Sequence, residues 1–233
     1  MPKSVTKLVP KVPPLPGVPG ASRRQQYSAS TKRALVHVAE ELFSVQGYAG
    51  TPLDAIVSGA DVTKGALYHH FSGKQALFEA VFERVESESA QRIQQTMKGI
   101  KDPWQAAMVG LRAFLDVVQE PGYRRIVIQE GPAVLGYERF REQEERTAFG
   151  VVHDIVRSVL RTGGQHADEE MVTTFARIFF GALSSAGESV ATADDPTRAA
   201  ERVETAIAYI MAGLQSLADQ GVVLGADAAP STD

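Results

Sequence analysis

From Thr31 onward, apolar residues recur at intervals of three and four, the spacing of one helical face, and nowhere alternate at the interval of two that marks a half-buried strand. In the first helix Leu35, Val38, Ala39, Leu42 and Phe43 share a side, and Gly47 is placed to end it. Thr51 followed by Pro52 opens a second helix carrying Leu53, Ile56 and Val57 inward. Gly59, Ala60 and Asp61 make a turn, Thr63 caps a third helix, and Ala66, Leu67 and Phe71 form its core side. Ser72 is the expected cap of a fourth, with Leu77, Phe78, Val81, Phe82 and Val85 as its apolar stripe.

After a break over residues 98–102, Trp104, Met108, Leu111, Leu115 and Val118 mark another helix, which Pro121 and Gly122 stop. A short helix over about Tyr123 to Glu130 precedes Gly131 and Pro132. One long helix is expected from near Glu138 to Arg161, closed by Gly163 and Gly164. The last two run from about Asp168 to Ala191 and from Pro196 to Asp219. The pattern predicts an all-α protein: a compact N-terminal unit followed by a larger helical one. The expected boundaries are a Pro-rich, basic, disordered arm over 1–27, a first domain over 28–88, a second over 89–225, and a loose tail over 226–233.

Charge sharpens this division. Residues 1–39 hold seven Lys or Arg and no acid, leaving 17 basic against 28 acidic residues in the rest of the chain. A basic end on an acidic body is the distribution expected when one end meets phosphate. There is no cysteine, so disulfides, thiol catalysis and cysteine-based zinc sites are excluded. No apolar run approaches a membrane span and the N-terminus does not read as a signal peptide, so a cytoplasmic protein is expected. No nucleotide, metalloprotease or nucleophile-elbow motif is present, and neither an enzyme nor a cofactor or metal site is expected.

The most informative stretch is TPLDAIVSGADVTKGALYHHFSGK, from Thr51 to Lys74. Two short helices about a tight turn can place the second in the DNA major groove while the first crosses the phosphate backbone. With VTKGALYHHF over Val62–Phe71, and Lys74 opening a helix that carries Leu77 and Phe78, the chain resembles the TetR family of transcriptional repressors. The motif-level resemblance covers about residues 31–85; beyond it the likeness is one of architecture. It implies that Lys64, Gly65 and Tyr68 lie nearest the bases, and that Thr51, His70 and Lys74 position the phosphate backbone. Thr63, with its neighbouring free amides, and His69 are further candidates for phosphate contact. Two positions depart from the family pattern: Pro52 stands where a hydroxyl is common, and Asp61 where glycine is usual. Aspartate tolerates the left-handed conformation better than most residues, so the turn is expected to survive.

The resemblance also implies a homodimer on a palindromic double-stranded DNA operator and a cavity for a small-molecule effector among the middle helices. The residues read as its largely apolar lining are Trp104, Met108, Leu111, Phe114, Phe140, Phe149, Val152, His153, Phe175 and Phe179. The last two helices carry the dimer candidates Phe179, Leu183, Ala186, Val203, Ile207, Ile210 and Leu214, suited to a four-helix bundle between subunits. The function expected is a ligand-responsive repressor. The alternative, an architectural DNA-binding protein without a ligand, needs a broadly basic surface, which the body beyond residue 39 lacks.

Overall fold

In a computed structural model, which describes residues 23–162 and 167–222, the chain is built from helices. The arm over 1–22, Gly163, Gly164, His166 and the tail from 223 lie outside the described residues. The N-terminal helices are α1 (Arg23–Gly50), α2 (Leu53–Gly59), α3 (Lys64–His70) and α4 (Lys74–Met97). After α5 (Pro103–Gln119) come α6 (Pro121–Tyr123), a π-helical turn (Arg124–Glu130) and α7 (Gly131–Leu135). The chain continues through α8 (Tyr137–Thr147), α9 (Phe149–Thr162), α10 (Glu169–Thr192) and α11 (Pro196–Asp219).

Side-chain caps set several starts. Asp102 accepts from the Trp104 amide at 3.0 Å, Asp168 from Met171 at 2.8 Å and Asp195 from Arg198 at 3.0 Å. Three local expectations need correction. Helix α1 already begins at Arg23, within the stretch through residue 27 that is expected to be disordered. Gly47, by contrast, ends the regular helix of α1 as expected, at φ 74°, ψ 170°, a backbone region that favours glycine, and one further turn to Gly50 follows across the kink. Gly73, not Ser72, caps α4. The expected long helix over 138–161 is two, α8 and α9, with Ala148 at the junction.

The main core is continuous from Leu35 in α1 to Ala200 in α11, crossing the boundary expected at residue 88. Phe43, Phe78, Phe82, Leu67 and Ile56 are completely or almost completely enclosed at its N-terminal end, where α1, α3 and α4 meet. Arg84 reinforces this junction, linking Glu40 of α1 at 3.3 Å and Glu88 of its own helix at 2.9 Å. A smaller core forms around Val156, Val172 and Ala176, where α9 packs on α10.

Candidate functional site

The turn between α2 and α3 is tight because Asp61 sits at φ 54°, in the left-handed region expected of it. Thr63 then caps α3, its hydroxyl oxygen accepting from the Ala66 amide at 3.1 Å. Leu67 and Phe71 anchor α3 in the core and turn the opposite side to solvent. That side carries Lys64, Gly65, Tyr68 and His69, all exposed. Tyr68 is a large aromatic residue with 58% of its surface open, standing on a short helix beside a residue without a side chain.

Lys64 is not free on this surface. Its Nζ lies 2.7 Å from Asp54 Oδ1 on α2, and this hydrogen bond raises its pKa further above the ordinary lysine value. His70 is half-buried; burial, then His69 and Lys32, lowers its pKa and favours the neutral ring. Lys74 is also half-buried, with Nζ 4.5 Å from the centre of the Tyr48 ring, and burial lowers its pKa.

Thr51 does not belong to the surface. It is wholly buried, and its hydroxyl donates to the Gly47 carbonyl at 2.7 Å, with the Leu42 carbonyl 3.3 Å away. Because the chain turns at Gly47 and folds back, Thr51 closes the kink and neither caps α2 nor faces phosphate; Pro52 holds the cap position.

The same kink is held from the other half of the molecule. Glu130, at the end of the π-helical turn, accepts from the Tyr48 amide at 2.8 Å. Arg125 donates to the Val45 carbonyl at 3.2 Å and lies 3.7 Å from Glu130. These groups crowd Gly47 so closely that a β-carbon there would collide with Glu130 Oε1 and come within 2.7 Å of Arg125 Nη2.

On its other side this segment faces a cavity of about 590 Å³ lined by α4, α5, α8, α9, α10 and α11. Tyr123, Val127 and Ile128 of the segment form part of the wall. Trp104, Met108, Leu111, Phe114, Phe140, Val152, Phe175 and Phe179 line it, as the sequence predicts. Phe149 and His153 are not on the wall. Phe149 packs edge-on against Phe180 at 5.7 Å, and His153 Nε2 lies 3.3 Å from Glu169 Oε1, tying α9 to the start of α10.

Polar groups that sequence reasoning missed also reach the cavity, among them Glu86, Tyr123, Arg141, Glu144 and Ser184. Glu86 is 4% exposed; burial pushes its carboxyl up to about 7 against a hydrogen bond from Thr147 that lowers it, and Glu144 adds to the rise. Burial likewise raises Glu144, which Arg141 at 3.5 Å and Ser184 at 3.4 Å partly offset. Burial, then Glu86 and Glu144, holds the Tyr123 phenol far above its usual range, so it stays a donor. A signal for Glu86 was present: it continues the row Phe78, Phe82 on the inward face of α4.

The dimer candidates divide. Phe179, Leu183, Ile207 and Leu214 line the cavity, and Val203 packs on the main core. Ala186 is half-buried, and Ile210 is exposed. The outward face of α10 and α11 instead presents Ile178, Tyr209 and Ile210, respectively 62%, 80% and 52% exposed, with Gly181, Ala182 and Ser185 between the turns. Among the described residues no group of metal ligands forms, and no helix is long and apolar enough to cross a membrane.

Residues 35–81 match the family model for bacterial regulatory proteins of the tetR family, and residues 104–214 match a tetracyclin repressor-like C-terminal domain. The transposon Tn10 TetC protein of Escherichia coli is 28% identical over 140 residues, 60% of this chain and 71% of TetC. The HTH-type transcriptional regulator TtgW of Pseudomonas putida is 33% identical over 104 residues, 43% of this chain and 75% of TtgW. Among solved structures, a TetR-family transcriptional regulator from Pectobacterium atrosepticum superposes with a TM-score of 0.72 at 27% identity, covering 83% of this chain and 97% of that one.

Proposed function

Because this chain belongs to the TetR family of DNA-binding transcriptional regulators, we propose that it works as a dimeric repressor released from its operator by a small ligand with a largely apolar body. The observation that carries the proposal is the segment Tyr123–Glu130, one side of which walls the cavity while its end grips the kink of α1. Lys64, Gly65 and Tyr68 read the major groove, and His69 and Lys74 meet the backbone. The outward face of α10 and α11 joins two copies, so that a two-fold symmetric protein meets a two-fold symmetric site. Ligand binding shifts the population toward an arrangement in which α4 and the π-helical turn carry the two reading heads out of register with successive grooves. This requires that the ligand bind the two states unequally.

The test is fluorescence anisotropy on DNA from the gene's own upstream region against scrambled DNA, over a salt series. Sequence-preferring binding by two copies per site, weakening steeply with salt, is expected. Tyr68→Ala is expected to weaken operator binding at least tenfold with its thermal unfolding unchanged; unaltered affinity would remove α3 from the role of reading head.

A further inference from the structure

The cavity contains an electrostatic asymmetry that an apolar ligand alone leaves unanswered. Three carboxylates, Glu86, Glu144 and Glu188, reach its wall, against one cationic side chain, Arg141. Arg141 is already engaged, 3.5 Å from Glu144. Among the described residues Glu86 makes no ion pair; Thr147 donates to its Oε2, and its charged neighbour is another carboxylate, Glu144. A carboxylate 4% exposed in an apolar wall without a counter-charge is costly to the empty protein. It becomes favourable when a ligand brings the missing positive charge. The wall of the same cavity also carries the rings of Trp104, Phe114, Tyr123 and Phe140, a residue type that accepts both a cation and a hydrocarbon body. An anionic ligand would set like charge against Glu86.

We infer that the cavity is selective for lipophilic amines, with the ammonium group seated on Glu86 beside Glu144 and the apolar body among Trp104, Phe114, Phe175 and Phe179. This rests on the cavity being the effector site and adds the chemical class of its occupant. A neutral amphiphile of the same shape fills the same volume but leaves Glu86 without its counter-charge.

The chain carries its own reporter, since Trp104 is the sole tryptophan and lines the cavity. Three probes share one body and differ in head group: 4-phenylbutylamine, 4-phenylbutanol and 4-phenylbutyrate. Titrated into the full chain at pH 8, with Trp104 fluorescence and calorimetry as readouts, the amine is expected to bind roughly tenfold or more tighter than the alcohol, and the butyrate weakest. Glu86→Gln is expected to bring the amine to within about twofold of the alcohol, whose own affinity stays unchanged; retained helical circular dichroism verifies the fold. Glu144→Gln is expected to act in the same direction and serves as the independent variant. Equal affinity for amine and alcohol, or an amine preference that survives both substitutions, overturns the inference while leaving the cavity as a binding site. If none of the three binds at millimolar concentration, the cavity itself fails as the effector site, and the inference falls with it.

Discussion

Replacing Glu86 by Gln isolates the cost of a charge in the cavity wall. The folded carboxyl titrates at about 7 against an ordinary 4.5. Below the lower value it is protonated in both folded and unfolded chains and costs nothing. Between the two values the unfolded chain releases the proton while the folded protein keeps it, so the native state binds more protons and stability falls as pH rises. Above about 7 both are ionised and the full penalty stands. A difference of this size corresponds to roughly 3 kcal/mol, a substantial fraction of the stability of most domains. Glutamine keeps the shape and can still accept from Thr147, but it has no proton to lose. Urea unfolding of both proteins from pH 4.5 to 8.5, at one protein concentration, gives the difference between them. Other raised carboxylates such as Glu40 largely cancel in that difference. The variant is expected to gain on the native protein progressively up to neutral pH and then run parallel to it. A flat difference, or a gain that grows toward acid pH, would refute burial as the cause.

Gly47→Ala is expected to lose about 2 kcal/mol or more in chemical unfolding, because φ is 74° and the added carbon meets Glu130 and Arg125. Gly150→Ala, at an exposed helical site in α9 with nothing within 4 Å, is expected to gain up to about 1 kcal/mol and serves as its control. Asp54→Asn releases Lys64 from its ion pair and removes a negative charge beside the reading helix; operator binding is expected to tighten up to about fivefold, whereas weaker binding would mean that Asp54 holds Lys64 in place for DNA. Ile210→Asp on the outward face of α11 is expected to shift the protein toward monomer in sedimentation, and an unchanged dimer would move the interface elsewhere.

The helix-turn-helix was legible because it is made by local rules. The Thr63 cap, the left-handed Asp61 and the enclosed Leu67 and Phe71 all follow from residue type and spacing within twenty residues. What depends on distant partners was not. Val203, Ile207 and Leu214 share a helical stripe, but spacing gives a stripe's phase and not the body it packs on; the stripe turns inward, and Tyr209 and Ile210 are left outside. His153 reads as a polar point on an apolar face until Glu169, on the next helix, meets it. Thr51 reads as a cap because it precedes a Pro-started helix, but the carbonyls of Leu42 and Gly47 engage its hydroxyl and bury it. The clasp by Arg125 and Glu130 spans some eighty positions of chain, beyond any periodicity.

That clasp bears on how regulators of this kind are recombined. Grafting this reading head onto another sensor at the loop of least apparent structure, near residues 98–102, would carry α1 without the groups that hold its kink. The recipient would supply its own residues opposite Gly47, and an unmatched carboxylate or guanidinium there would leave the Tyr48 amide without its acceptor. Heads and sensors are therefore interchangeable in matched sets: a working hybrid inherits Glu130 and Arg125 along with Gly47, although they lie on opposite sides of the cut.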